Sequence, residues 1–398
     1  MSFNIVVIGG SYAGIGVCHG LLQKNSDRKI TVTLINPSTE FYFNIAAPRI
    51  VAKSDMIAPE KYTYSVPEVF EKYPAGTFRF VHGIASSIDL EERNVHVHVR
   101  HAANDNETTE DKKKEEVIAY DHLVIASGST TPSTVGQDSF AAPFKAPIDG
   151  DLAAAVSHTQ RAIRDAKTIA IGGGGPVGVE FAGEIAEAYE SDTSKKSITL
   201  ISGTARLLPT LPASAQDAAE QTLQSKGIHL QLGKLVNRAE STTDGGWTVH
   251  LSDGTTLTVD LFISAMGTLP NSAFIPESLR DEKGWVTVDE HQQVLNRQGQ
   301  AEPRVYALGD ITSYPDRLLL RVQPQIPIVV ANVQRAVEER HTALSSYSPA
   351  AQWTVMVVPV GRWTGTGAIG GWRLCGWLVS LAKGRDFFIG KAASFIRG

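Results

Sequence analysis

Apolar and polar positions follow one plan twice along this chain. The first copy runs Asn4-Ile5-Val6-Val7-Ile8, then the turn GGSYAG, then IGVCHGLLQK, then KITVTLI. It reads as strand, glycine turn, helix and strand, a βαβ unit of about 30 residues. The second copy starts near Thr168 with TIAI, continues through GGGGPVG and VEFAGEIAEAYE, and closes on SITLI. Each copy is followed by alternating apolar and polar residues, the mark of half-buried antiparallel strands. In the first this is FRFVHGIASSIDLEERNVHVHV; in the second, WTVHLS and TTLTVDLFISAMG meet at an Asp253-Gly254 hairpin turn. The copies lie about 160 residues apart, far beyond the roughly 20–50 of a solenoid repeat, so a whole domain plan is duplicated.

Between the copies, HAANDNETTEDKKKEEV is charge-dense and nearly free of apolar residues, which predicts an exposed hairpin tip. YDHLVIASGS then returns as a buried strand. Beyond the second copy, GWVTVDEHQQV and PRVYALGDI resume strand patterns, QIPIVVANVQRAVEERHTAL predicts a helix, and WTVMVVPVG predicts a short strand before a tryptophan-bearing tail.

The glycine turns carry the chemistry. Gly9, Ser11 and Gly14 take the three positions of a Gly-x-Gly-x-x-Gly turn. The first residue makes the tight turn, the second admits a pyrophosphate, and the third lets helix pack on strand. The helix N-terminus then faces the phosphates. Serine is small enough for the middle role, and Gly10 and Ala13 complete the expected contact surface. An acidic residue normally follows about 20 residues on to bind ribose hydroxyls. Asn36 stands there instead, able to hydrogen-bond without charge assistance. In the second copy Gly173, Gly175 and Gly178 complete the motif, and Ser202 ends the strand where the carboxylate would be. With Arg206 just beyond, a 2′-phosphate is accommodated, leaving both NADH and NADPH open.

Composition narrows the class. The 398 residues suffice for two or three domains, and 42% hydrophobic with 20% charged residues is ordinary for a soluble globular protein. A formal charge of −5 argues against nucleic acid as a main partner. Cys18 and Cys375 lie at opposite ends, so neither a disulfide framework nor a Cys-x-x-Cys pair exists, and a reducing, cytoplasmic location is expected. With a strand expected from Asn4, no signal peptide is expected; Ser2 is not the glycine myristoylation requires, and no apolar run approaches the ~18 residues of a membrane span. His96-x-His98, with His101 nearby, has the spacing for a metal. Val95, Val97 and Val99 supply the buried face, however, and leave the histidines on the wet one.

The motifs together resemble the two-dinucleotide flavoproteins, within them the apoptosis-inducing-factor-like group. The nearer branch is the mitochondrion-associated inducer-of-death or ferroptosis-suppressor type, especially its fungal members, with type II NADH dehydrogenases as cousins. The resemblance rests on GGSYAG (9–14), FYFNIAAPR (41–49), YDHLVIASGS (120–129), GGGPVGVEFAGE (173–184), SAMGTLPN (264–271), VYALGDI (305–311) and KGRDFFIGK (383–391), spanning essentially the whole chain. It implies an α/β fold with two Rossmann-like dinucleotide-binding domains, antiparallel β insertions and a small C-terminal segment. FAD would take residues 1–147 and 285–345, NAD(P)H residues 148–284, and the C-terminal segment would be 346–398. It further implies that Asp310 accepts hydrogen bonds from the flavin ribityl chain, and that Ser127 and Gly128 close over the FAD pyrophosphate. Glu180 would lie where nicotinamide meets flavin, Arg49 beside the flavin, Gly267 near the second dinucleotide, and Gln325 at the quinone side.

On that basis the chain is expected to take hydride from NAD(P)H onto FAD. Without a dithiol relay, electrons would pass directly to a small acceptor, with a quinone leading by resemblance. An NAD(P)H-responsive redox-signalling protein and a tailoring oxidoreductase of a biosynthetic pathway are the competing classes. Aromatic and basic residues mix in the tail from Trp372 to Arg397. That suits peripheral contact with a membrane such as the outer face of mitochondria, or docking at a homodimer contact.

Overall fold

The first apolar run forms β1 (Phe3–Ile8), and its glycine turn leads into α1 (Tyr12–Gln23) and β2 (Ile30–Asn36). The computed structural model describes residues 2–25, 29–100, 114–191, 195–315, 317–349 and 355–398. Ile5, Val6 and Val7 are fully buried, as expected of a parallel strand covered on both faces. After α2 (Ala47–Ala52), the alternating stretch becomes β3 (Phe78–Asp89) and β4 (Asn94–Val99), which pairs with β5 (Lys114–Ala119). In β4 Val95 and Val97 are buried, while His96 reaches Glu115 at 3.0 Å on the other face. His101 and residues 101–113 of the expected hairpin tip lie outside the described residues, while its end, Lys114–Val117, opens β5. β6 (His122–Ile125) then returns to the sheet centre.

α3 (Leu152–Asp165) leads to the second unit: β7 (Thr168–Gly172), α4 (Pro176–Ala188), β8 (Ser197–Ser202), α5 (Ala213–Ser225) and β9 (His229–Leu232). The antiparallel strands β10 (Val236–Ser241), β11 (Trp247–Leu251) and β12 (Thr256–Val259) follow, then β13 (Leu261–Ser264). The β11–β12 turn holds Gly254 at φ +83°, a left-handed conformation that glycine adopts without a Cβ penalty. Beyond it come β14 (Gln293–Leu295), β15 (Ala301–Ala307) and α6 (Gln325–Val337). A C-terminal module follows, with β16 (Val355–Pro359), β17 (Gly365–Ile369), β18 (Trp372–Arg373), α7 (Gly376–Val379) and α8 (Ala392–Arg397).

The large sheet runs β14-β15-β6-β1-β2-β3-β4-β5, parallel at its centre with Val7 opposite both Leu34 and Val124. The second sheet, β9-β8-β7-β13, is wholly parallel. Both units therefore have helices and glycine turns at the C-terminal ends of parallel strands, where α/β sheets bind ligands. Two expectations change here. Of the strand expected over GWVTVDEHQQV, only Gln293–Leu295 forms a ladder, with isolated bridges at Val286 and Val288. The tail, read as one strand, is a three-stranded antiparallel sheet with helices packed on it. Among the described residues, no helix is long and apolar enough to cross a membrane.

Candidate active site

The two glycine turns are built alike. A Cβ on Gly14 would lie 1.8 Å from the Gly9 carbonyl oxygen, and one on Gly178 would lie 1.9 Å from that of Gly173. Gly9 and Gly173 themselves adopt φ of +112° and +121°, each pressed against the backbone leaving a neighbouring strand. Gly10 touches Asn36 at the end of β2, just as Gly174 touches Ser202 at the end of β8. Neither α1 nor α4 has a side-chain cap, whereas Asp151 caps α3 through the Ala153 and Ala154 N–H groups. The first-turn N–H groups of α1 and α4 thus lack the partner a capping side chain would provide. With the helix dipole behind them, they favour an anion.

A cavity of about 760 Å³ opens from the first turn. Gly9, Gly10, Ser11, Ala13, Asn36, Ser127, Gly128, Gly267 and Asp310 all line it, together with Val177 at the start of α4. Asn36 is tied in place, its Oδ1 accepting from Gly10 N–H at 2.7 Å and its Nδ2 donating to Ser38 O at 2.7 Å. Ser127 Oγ donates to Asn271 O at 2.8 Å, and Asn271 Nδ2 returns a bond to Ser127 O at 2.8 Å, stitching the exits of β6 and β13 together. Asp310 accepts from Lys145 Nζ at 2.8 Å and from Ser129 Oγ at 3.1 Å. Burial acts to raise the Asp310 carboxyl pKa, but Lys145, Ser129 and Arg317 outweigh it and hold the group below the usual carboxylate range. Lys145 carried no motif in the sequence and is found only through this contact.

Other expected residues stand off the cavity wall. Gln325 is 2% exposed, its Oε1 accepts from Gly309 N–H at 2.7 Å, and it does not line the cavity but fixes the Gly309-Asp310 turn from behind. The Arg49 guanidinium turns away to Glu184, donating from Nε at 2.7 Å and Nη2 at 2.8 Å. It also donates to the carbonyls of Gly384 at 2.7 Å and Arg385 at 2.9 Å. Glu180 accepts from Lys383 Nζ at 2.5 Å and is buried, which pushes its carboxyl upward against the pull of Lys383. Arg206 is held by Asp217 and Glu220, and Ser202 Oγ lies 2.9 Å from Thr204 Oγ1. The segment 383–388 is thereby held to α4 by the Lys383–Glu180 ion pair and to α2 by the two carbonyl bonds from Arg49, itself ion-paired to α4, with Phe387 under both Arg49 and Lys383.

Residues 3–344 match the pyridine nucleotide-disulphide oxidoreductase family. The chain belongs to that family. It is accordingly an FAD-dependent pyridine-nucleotide oxidoreductase. Among its relatives, oxidoreductase ptaL of Pestalotiopsis fici is 33% identical over 384 residues, covering 96% of this chain and 95% of that protein. Human ferroptosis suppressor protein 1 is 27% identical, covering 98% and 94%. Among solved structures, NDH2 from Plasmodium falciparum in complex with NADH superposes with a TM-score of 0.72 at 16% identity, covering 100% of this chain and 99% of that one.

Two family properties can be checked on these residues. The cradle fits a dinucleotide: a Cβ would fill the space at Gly9 or Gly14, and the uncapped α1 N-terminus suits a pyrophosphate. The disulphide of the family name has no counterpart here. Cys18 is fully buried, Cys375 is exposed in the C-terminal module, and no third cysteine exists. Burial also pushes the Cys18 thiol far above its ordinary pKa, the opposite of what a reactive thiolate needs.

Proposed function

We propose that this protein takes hydride from a nicotinamide nucleotide held by the second unit and delivers the electrons, through FAD held by the first, to a quinone-like acceptor. One observation carries the reading. The cavity at the first glycine turn continues to Val177, Ala265, Gly267 and Thr268, at the mouth of the second turn. The first cradle's cavity thus reaches the start of α4, beside the second glycine turn. FAD, when bound, supplies the hydride and electron chemistry that no side chain here offers.

The chain's own residues bind and orient. The α1 and α4 N-termini meet the two pyrophosphates, Gly9 to Gly14 and Gly173 to Gly178 allow close backbone approach, and Asp310 offers an ionised acceptor to a ribityl hydroxyl. Gln325 positions that aspartate through Gly309. Glu180, buried and paired with Lys383, lies one helical turn from Val177 on the cavity wall. With no thiol pair available, the acceptor meets the flavin site directly.

The test is anaerobic stopped-flow of the FAD-loaded protein. NADH or NADPH is expected to bleach the visible flavin band, and a short-chain benzoquinone to restore it faster than oxygen does. If neither nucleotide bleaches the flavin, the oxidoreductase reading fails; if oxygen and quinone act alike, the quinone assignment fails.

The C-terminal module supports contact with an anionic membrane surface. Trp372 is 82% exposed and pairs across strands with Ile369; Trp377 is 66% and Leu381 59% exposed, one helical turn apart. Residues 355–398 hold six Lys and Arg against the single Asp386, although the whole chain carries −5. Aromatic side chains among cations suit the interfacial layer of a bilayer. Co-sedimentation with phosphatidylserine vesicles but not phosphatidylcholine ones, lost in W372A/W377A, is the expected result; equal recovery of native protein and variant would refute it.

A further inference from the structure

We infer that the nicotinamide donor is NADH and not NADPH, because among the described residues the cations flanking the exit of β8, Arg206 and Lys234, are already neutralised by carboxylates. The inference rests on the second unit being the nucleotide site. In a βαβ cradle the end of the second strand meets the adenosine ribose, and a cation there receives the 2′-phosphate that distinguishes NADPH. Here that position is Ser202, which touches Gly174 as Asn36 touches Gly10. Ser202 is itself buried, so the surface presented to a ribose is Gly203, Thr204, Ala205 and Arg206.

Arg206 is the expected phosphate partner, but its fork is filled. Nε donates to Glu220 Oε1 at 2.9 Å, and Nη2 bonds Asp217. Glu220 also accepts from Leu207 N–H at 3.1 Å, which anchors the carboxylate on this loop. The second cation is Lys234, whose backbone N–H donates to Ser202 O at 2.9 Å. Its ammonium is paired with Asp253 at 2.8 Å. The neighbourhood therefore holds two cations and three carboxylates, a net charge of −1. A 2′-phosphate would enter against two carboxylates on Arg206 and one on Lys234, whereas a ribose diol needs no cation. In the sequence Arg206 leaves NADH and NADPH both open, because its two partners on α5 lie 11 and 14 residues further on and are not announced by any motif.

Dissociation constants of NAD+ and NADP+ for the FAD-loaded protein, measured by calorimetry, test this without turnover. NAD+ is expected to bind at least about tenfold more tightly. D217N/E220Q keeps the side-chain shapes and the hydrogen-bond acceptors while removing both negative charges from Arg206. It is expected to tighten NADP+ at least fivefold (roughly, on the same scale) and move NAD+ less than twofold. R206Q in the otherwise native chain is expected to leave the weak NADP+ binding unchanged. Equal affinities in the native protein, selective loss of NADP+ binding in R206Q, or no NADP+ gain in D217N/E220Q would each overturn the inference. Absence of binding by both nucleotides would instead overturn the donor-site reading beneath it, so the two failures are distinguishable.

Discussion

Replacing Glu184 with methionine strands the Arg49 charge in the interior. The pair is 2% and 1% exposed, bidentate at 2.7 and 2.8 Å, and Arg49 holds two carbonyls of the 384–385 segment besides. Breaking one partner of a buried pair costs about 3–5 kcal/mol, because the survivor remains desolvated without a counter-charge. Arg49→Met should cost a similar amount, leaving Glu184 unpaired and freeing both carbonyls. The double variant R49M/E184M removes both charges and loses only the two carbonyl bonds, about 1 kcal/mol each. It should therefore be no less stable than either single variant, giving a coupling of about 3 kcal/mol or more. Reversible urea unfolding of the FAD-loaded protein, followed by tryptophan and flavin fluorescence, measures the cycle. Hydrogen exchange over residues 383–398 should also accelerate in both single variants. Additivity within about 0.5 kcal/mol, or single costs below about 1 kcal/mol, would refute the claim that this pair clamps the tail.

Gly14→Ala should yield protein purified without a flavin spectrum, since its Cβ meets the Gly9 carbonyl oxygen at 1.8 Å. Gly175→Ala should leave flavin content and unfolding midpoint unchanged, because its Cβ meets nothing within 4 Å and its φ is −80°. His122 is pulled down to about 4 by burial, reinforced by Arg304 and opposed by Asp121. Its contribution to stability is complete above the unfolded value near 6.5 and is lost as pH falls toward 4, roughly 3 kcal/mol in all. His122→Gln should flatten a plot of unfolding free energy against pH over that interval. Because Lys145 holds the Asp310 carboxyl below its usual range, Lys145→Met should raise it. Release of FAD on acidification, read by flavin fluorescence, should then begin at higher pH than in the native protein.

The glycine turns were legible because their spacing encodes one steric demand, the third glycine against the carbonyl of the first. The hairpin at Asp253-Gly254 was legible for the same kind of reason. Partners across the fold were not. Lys383 and Glu180 are 203 residues apart, and nothing local to either announces the other. Gln325 illustrates a second blind spot: its place at a helix start was readable, but whether it faced the cavity or Gly309 depended on the rotation of that helix. The C-terminal sheet escaped because Gly365, Gly367, Gly370 and Gly371 erase strand alternation, while pairing with Met356 and its neighbours restores the strand.

The unequal continuity of the two sheets bears on how the chain is made. Strands β7, β8, β9 and β13 all lie within residues 168–264, so the second unit is complete once that stretch has left the ribosome. The large sheet is not, since β6 at 122–125 stays bare on one edge until Val305–Ala307 arrives. At about 5–20 residues per second, that edge waits roughly ten to forty seconds. The unit encoded second thus closes first, and the unfinished edge of β6 is where a nascent-chain chaperone would be needed.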